Sequence, residues 1–170
     1  MTGSSRLLVF YSLIGLMLSA CGNRNPETGI EIGQFAPPIS SVDIDGRPFE
    51  LSDLKGSVVL LDFWGSWCGP CIKEAPTIVS INDEYASKGL KVVSIAIEKN
   101  DKTWKKATKK LGFNWDIQLV ERSQFVRLNR IASAYEVTDI PSLFIIDEDG
   151  KILASKIHVE EARSILNQYF

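Results

Sequence analysis

The chain has little cysteine and little histidine: three cysteines and one histidine among 170 residues. Tetrahedral zinc takes about four ligands, and the sequence holds a single C-x-x-C pair, so this scarcity argues against a structural zinc site. The formal net charge is −2, and no basic excess indicates nucleic-acid binding. The sequence also lacks internal repeats and low-complexity tracts, which is typical of one globular domain.

The sequence also lacks a long apolar run. Its most apolar stretch, 7–18, follows Arg6 and has twelve residues, which as a helix would span roughly 18 Å. A hydrocarbon core is about 30 Å thick, so the stretch indicates a signal-peptide core rather than a membrane-spanning helix.

The stretch is followed by Leu18-Ser19-Ala20-Cys21, which resembles the lipobox of bacterial lipoproteins, where the cysteine is lipidated and becomes the first mature residue. We therefore expect a signal peptide at 1–20, a lipidated tether at 21–30 and one domain at 31–170. The alternative is an ordinary cleaved signal with a chance cysteine. Two or more acyl chains would hold the protein stably on a membrane.

The most informative motif is Trp67-Cys68-Gly69-Pro70-Cys71, which follows the apolar run 58–63. The segment after it has helical spacing, so Cys68 is expected at a helix N-terminus, where free N–H groups and the helix dipole favour a thiolate. Pro70 suits that first turn because it has no N–H to leave unpaired. With Cys21 lipidated, Cys68 and Cys71 form the only possible internal disulfide, and so short a loop stabilises little. The motif predicts a redox-active dithiol.

Hydrophobic patterning predicts alternating strands and helices in the domain. A buried strand, a crossover helix and a second buried strand make a right-handed βαβ unit. Adding a C-terminal hairpin and helix gives an α/β fold with a central mixed β-sheet flanked by helices. The predicted strands are 39–44, a segment near Phe49, 58–63, 92–97, 117–120, 143–146 and 152–154, and the predicted helices are 71–88, 101–111, 123–135 and a last one through Ala162 and Leu166.

Several motifs resemble the thioredoxin fold: Asp62-Phe63-Trp64 before the dithiol, Pro76 after it, and Ile140-Pro141 opening a late strand. Three further features resemble the membrane-tethered thioredoxin-like reductases of the ResA/TlpA type, and the resemblance covers about 31–170. These features are Glu74-Ala75-Pro76, an N-terminal β-hairpin extension from Ile32-Gly33 to Gly56, and a helix-strand insert at 101–120.

The two cysteines take different roles. Cys68 is expected to attack a substrate disulfide and hold the substrate as a mixed disulfide, which Cys71 then resolves. Asp62 lies in an apolar strand where an ionised carboxylate is costly, so a raised pKa would let it take the proton from Cys71. Thioredoxins carry an acid at the matching position. The alternative is that the Asp62 side chain has no catalytic role and simply reaches a hydrogen-bonding partner or solvent at the end of the strand.

Glu74 lies three residues after Cys71 and six after Cys68, which places all three close to one helical face. A carboxylate there disfavours nearby thiolates and can relay protons, and the resemblance implies that role. The alternative is an exposed helix residue.

Substrate contact is expected from Trp67, a partly exposed aromatic, from Gly69 and Pro70, and from Ile140-Pro141. The last pair matches the cis-proline that faces the dithiol in the thioredoxin fold, where it turns backbone polar groups toward a substrate strand. The alternative is a trans proline at a strand start.

The remaining aromatic and charged residues that could carry a function are interpreted as core-packing or solvent-exposed residues. Trp64, Trp104 and Trp115 are expected in the core or at its edge. Lysines 102, 105, 106 and 109 recur at helical spacing and predict a solvated face rather than a docking patch. His158 follows the last strand and is interpreted as a surface residue, so no metal site is expected.

The leading hypothesis is an extracytoplasmic thiol-disulfide oxidoreductase acting as a protein-disulfide reductase, with no cofactor beyond the Cys68–Cys71 disulfide. Its expected partners are a disulfide-containing protein substrate, a membrane thiol-electron donor and the membrane itself, on the periplasmic side in a Gram-negative cell. The resemblance implies an apocytochrome c as substrate during cytochrome c-type biogenesis. The alternatives are a disulfide oxidant or isomerase, a thiol peroxidase, against which Gly65 argues because those sites carry threonine there, and a non-catalytic binding module.

Overall fold

The computed structural model describes residues 27–99 and 101–170. The predicted signal peptide, the lipidation site Cys21 and most of the predicted tether lie outside the described residues. Among the described residues, no helix is both long enough and apolar enough to cross a membrane. The strands are β1 Ser40–Val42, β2 Pro48–Glu50, β3 Val58–Trp64, β4 Leu90–Glu98, β5 Ile117–Arg122, β6 Ser142–Ile146 and β7 Ile152–Ile157, and the α-helices are α1 Gly69–Tyr85, α2 Asp101–Leu111, α3 Arg130–Ala134 and α4 Val159–Tyr169.

Five strands form one mixed sheet in the order β5-β4-β3-β6-β7. β4 runs parallel to both β3 and β5, whereas β6 is antiparallel to both β3 and β7. β1 and β2 make a separate antiparallel hairpin. The predicted fold class is confirmed: a central mixed sheet, an N-terminal hairpin and a helix-strand insert formed by α2 and β5.

The central strand β3 is buried along its whole length. Such burial requires cover on both faces, and it explains why the sequence reads as a continuous apolar run. On one face Phe63 packs against Tyr135 and Phe144, with ring centroids 5.5 and 5.7 Å away. On the other face Leu60 packs in a cluster that includes Tyr85 of α1.

The predicted packing roles of the other tryptophans are confirmed. Trp64 and Trp104 are 2% and 1% exposed and pack with the two cysteines, while Trp115 is buried in the cluster beneath α1 and α4. The lysine face of α2 is exposed at Lys105, Lys106 and Lys109, as predicted, and the side chain of Lys102 lies outside the described part of the structure.

Helix α1 begins where the dithiol motif predicts. Cys68 is its N-cap residue in an extended conformation, and Pro70 lies in the first turn. The helical segment continues through a short 3-10 turn, Ala86–Lys88, and ends at Gly89, whose φ of 107° is left-handed. Because L side chains rarely adopt that conformation, glycine is the residue that ends the helix there.

The predicted helix at 123–135 is wrong. The structure has a 3-10 turn, Val126–Leu128, followed by the five-residue helix α3. Ser123 Oγ donates to Phe125 O at 2.7 Å and accepts from the Phe125 N–H at 3.3 Å, and Asn129 caps α3 by accepting from Ala132 N–H at 2.8 Å. These side-chain bonds replace helical ones, as serine and asparagine side chains do outside helix interiors.

The last four residues of the predicted tether lie against the domain. Phe35 N–H donates to Glu27 O, and Gly29 N–H donates to Phe35 O, both at 3.0 Å. Ile30 is 8% exposed and belongs to the larger core cluster. The segment before β1 therefore packs at the edge of the sheet, where Ile152 N–H donates to Gln34 O.

Candidate active site

The two cysteines of the motif form a disulfide bond, so the structure shows the oxidised form. Both side chains are 5% exposed. Cys71 N–H lies 3.2 Å from Cys68 Sγ and donates to it across the first turn of α1. In the dithiol form this amide and the helix N-terminus would stabilise negative charge on Cys68 more than on Cys71. The geometry thus supports Cys68 as the attacking thiolate.

The loop before β6 faces this sulfur. Ile140 O lies 3.6 Å from Cys68 Sγ, and the Ile140-Pro141 peptide bond is cis, as the sequence predicts. Trp67, predicted as a partly exposed aromatic, is 53% exposed, and its Nε1 donates to Ile97 O at 2.8 Å. Gly69 and Pro70 are exposed on the opposite side of the motif. The predicted substrate-contact residues therefore surround the disulfide, although their contact with substrate stays a prediction.

Asp62 lies within β3, and its side chain is buried. In register with it on β4 is Ser94, whose Oγ donates to Asp62 Oδ2 at 3.2 Å and accepts from Trp115 Nε1 at 3.1 Å. The pKa of Asp62 is raised to about 7, mainly because the carboxyl group is buried. The hydrogen bond from Ser94 lowers this pKa, and the negative charge of Glu74 raises it. A group with that pKa can both accept and release a proton near neutral pH.

Glu74 is half-buried on α1, one helical turn after Cys71. Burial raises the pKa of Glu74, His158 lowers it, and Glu160 raises it. His158 was interpreted from the sequence as a surface residue. It is exposed, but its Nδ1 lies 4.0 Å from Glu74 Oε1, because the turn into α4 brings it beside α1. Sequence order alone gave no signal of this contact.

Glu98, the last residue of β4, is 2% exposed and is not among the site residues that the sequence predicts. Its carboxylate accepts from Ser66 N–H at 2.5 Å, from Ser66 Oγ at 3.0 Å and from Thr103 Oγ1 at 3.4 Å. The parallel strands β3 and β4 end at the same edge of the sheet, so the end of β4 lies beside the loop between β3 and α1. A charged residue closing an apolar strand was the available signal. Glu98 fixes the segment just before Trp67 and Cys68.

Within 27–99 and 101–170, no group of three or more His, Cys, Asp or Glu residues is arranged to hold a metal ion. What the arrangement can do chemically is thiol-disulfide exchange. It combines a sulfur at a helix N-terminus, a second sulfur to resolve the mixed disulfide, and a buried acid on the adjacent strand. Glu74 adds a second carboxyl group on the helix that carries both cysteines.

Fold and disulfide together define the class: the protein is a thioredoxin-like thiol-disulfide oxidoreductase, an enzyme. More narrowly, residues 31–169 match the Redoxin family, and the chain belongs to that family.

The relatives and solved structures agree with that assignment. The chain is 30% identical over 163 residues to thiol-disulfide oxidoreductase ResA of Bacillus cereus, covering 96% of this chain and 90% of the relative. Among solved structures, the thioredoxin domain of a Bacteroides vulgatus thiol-disulfide oxidoreductase superposes with a TM-score of 0.74 at 26% identity, covering 83% of this chain and 99% of that one. A thiol:disulfide interchange protein from Bacteroides sp. gives a TM-score of 0.72 at 26% identity, with 82% and 90% covered.

Proposed function

We propose that the protein is an extracytoplasmic reductant of protein disulfides, anchored to a membrane by lipid on Cys21. The observation that carries the chemical part is the position of Cys68. It caps α1, receives the Cys71 amide at 3.2 Å and faces Ile140 O at 3.6 Å. The similarity to proteins named ResA supports the same reading.

The reaction proceeds in two exchanges. The Cys68 thiolate attacks one sulfur of the substrate disulfide, a new S–S bond forms, and the second substrate sulfur leaves as a thiolate that takes up a proton. Cys71 then loses its proton and attacks Cys68 Sγ, which closes the Cys68–Cys71 disulfide and releases the first substrate sulfur. Two electrons pass to the substrate, which gains two protons.

In the second exchange, the Asp62 carboxylate is assigned the role of the base that accepts the proton from the Cys71 thiol. Its raised pKa matches it to that task, because an ionised acid near neutral pH accepts a proton and later returns it. Glu74, half-buried on α1 with a raised pKa, is assigned a modulating role: its negative charge disfavours a thiolate on the pair.

The direction of electron flow is proposed from the Gly-Pro dipeptide between the cysteines, which matches thioredoxin, a reductant with a potential of about −270 mV. In an oxidising compartment such a dithiol needs a supply of electrons, so a membrane thiol-electron carrier is proposed as its donor. The proposed substrate is the C-x-x-C-H segment of an apocytochrome c before haem attachment.

The test is a stoichiometric one. The reduced full-length chain is mixed with an oxidised peptide that carries C-x-x-C-H, and free peptide thiols are counted against the Cys68–Cys71 disulfide formed. Two peptide thiols per protein disulfide are expected, and Cys71→Ser should instead accumulate a mixed disulfide at Cys68. Reduced protein that releases no peptide thiol would contradict the proposal.

A further inference from the structure

A second surface flanks the dithiol on the side of Trp67. The segment 123–128, which ends in the 3-10 turn Val126–Leu128 rather than forming an α-helix, shares a groove with Trp67 and leaves Phe125 63% exposed. Together they border a groove of about 320 Å³, whose other lining residues are Lys99, Gln124, Val126, Arg127 and Thr138. Two large exposed aromatic side chains therefore lie on one groove next to the dithiol motif, where their rings are available for contact with a ligand.

The walls of this groove are held in place by hydrogen bonds. The Trp67 indole is fixed by its bond to Ile97 O, and its backbone follows Ser66, which Glu98 holds. On the other wall, Ser123 Oγ bonds both the N–H and the O of Phe125. A surface ordered before binding loses less conformational entropy when a ligand docks.

The charge on this groove has one sign. Of the described residues that line it, the charged ones are Lys99 and Arg127, and both are exposed cations. Two carboxylates lie nearby: Glu98 is buried against Ser66 and Thr103, and the exposed Asp139 accepts from the lining residue Thr138 at 2.9 Å, so two exposed cations face one exposed anion. The groove on the opposite side of the motif, between α1 and α4, carries Glu74 and Glu160 as well as Lys73 and His158. The two grooves that border the motif therefore differ: the charged side chains lining the groove at Trp67 are cations, and those lining the groove at Gly69 and Pro70 are of both signs.

We propose that the groove between Trp67 and Phe125 is a specificity site for the polypeptide substrate, receiving an apolar side chain and a neighbouring carboxylate close to the substrate cysteine. The inference rests on the proposed function, since it concerns the disulfide substrate. Apolar contact with the two rings contributes affinity, and Lys99 and Arg127 attract the carboxylate, which raises the association rate.

The experiment measures the second-order rate at which the reduced full-length chain, in detergent, releases thiol from eight-residue peptides. Each peptide has one cysteine in a mixed disulfide with 2-mercaptoethanol, and the peptides differ only in two neighbouring residues: Leu and Glu, Leu and Lys, or Ser and Glu. Each pair is placed before the cysteine in one series and after it in another. In at least one placement, the Leu/Glu peptide should react about threefold to tenfold faster than either of the others at low salt.

The variants separate charge from apolar contact. Arg127→Glu should reverse the order of the Leu/Glu and Leu/Lys peptides, a result that a misfolded protein cannot give. Phe125→Ser should remove the advantage of Leu over Ser and keep that of Glu over Lys. Lys91→Glu and Ile32→Ser are the matched controls and should leave the order of the peptide rates unchanged. Lys91 lies near the start of β4, roughly 20 Å along the strand from Glu98, and Ile32 is an exposed apolar residue of the N-terminal segment.

The outcomes distinguish this inference from the function on which it rests. If the wild-type chain reduces hydroxyethyl disulfide, and if it reduces all the peptides at the same rate as one another, the reductase chemistry stands and the specificity site is overturned. An unchanged peptide order in Arg127→Glu would overturn it as well. If no disulfide is reduced at all, both proposals fail.

Discussion

The imidazole Nδ1 of His158 lies 4.0 Å from the Glu74 carboxylate, across the groove between α1 and α4. Burial raises the pKa of Glu74, and the electrostatic effect of His158 acts against that rise. One groove is lined by Lys73, Glu74 and Thr77 of α1, by His158, the N-cap residue of α4, and by Glu160 of α4. The protonation of Glu74, one turn from Cys71, is therefore coupled to a histidine far from it in sequence.

This coupling predicts that substitutions of His158 and of Glu160 shift the pKa of Glu74 in opposite directions. His158→Gln removes a cation and should raise the pKa of Glu74, whereas Glu160→Gln removes an anion and should lower it. The measurement is a carbon-13 NMR titration of the Glu74 carboxyl group in both variants and in the wild type. Shifts in the same direction, or none in either variant, would contradict the assigned contacts.

Asp62 predicts a pH-dependent stability. Its pKa rises from 3.8 to about 7 on folding, so between these values the folded state binds more protons than the unfolded state. Stability must then fall as the pH rises through that window. The wild type should lose roughly 2 kcal/mol between pH 5 and pH 8 relative to Asp62→Asn, as measured by urea unfolding of the oxidised proteins. The exposed Asp53→Asn is the control and should follow the wild type; equal pH profiles for wild type and Asp62→Asn would refute the buried acid.

The contact between Glu98 and Ser66 predicts that removing the carboxylate destabilises the loop before Cys68 rather than the whole domain. Glu98→Ala leaves the Ser66 amide without its acceptor and should lower the free energy of local opening at this amide by about 1–3 kcal/mol. Glu98→Gln retains an acceptor oxygen and should lower it by less. Hydrogen exchange at the Ser66 amide should accelerate in the alanine variant, because the segment before Cys68 is released. Ser66→Ala, which loses only the 3.0 Å hydroxyl bond, is the matched control. Exchange at Ser66 that is unaffected by Glu98→Ala would show that the carboxylate does not fix the loop.

The anchor predicts a change of location. If Cys21 carries the lipid, the wild-type chain should partition into the detergent phase and sediment with membranes, whereas Cys21→Ser should not be acylated. The dithiol lies in the folded domain, so its reactivity should be the same in both. Mass spectrometry of the N-terminal peptide checks the modification directly, and an unmodified Cys21 in membrane-bound protein would refute the anchor.

What the sequence could predict depended on local patterns with a strong physical cause. The run from Val58 to Phe63 predicted a buried strand because cover on both faces permits continuous apolar residues. The cysteine spacing and Pro70 predicted the start of α1, and the end of the predicted helix 71–88 coincides with the end of the 3-10 turn that follows α1. These signals are local in the chain, and the structure confirms each of them.

What could not be predicted depends on contacts between distant segments or on competing local bonds. The helix predicted at 123–135 failed because Ser123 and Asn129 bond to the backbone and break it. His158 meets Glu74 only because β7 and α4 fold back beside α1. Glu98 meets Ser66 only because β3 and β4 pair in parallel register. Both contacts join residues more than thirty positions apart, so no local pattern contains them.

The most direct test of a reductant is the midpoint potential of the Cys68/Cys71 couple in the full-length protein, measured by equilibration with dithiothreitol or glutathione buffers. Cys68→Ser and Cys71→Ser are the controls and should show no such couple. A reductant should have a midpoint potential near that of thioredoxin, about −270 mV. A value near the −120 mV or so of the oxidant DsbA would reverse the direction of electron flow and contradict the reductant role, as would the absence of a reversible couple.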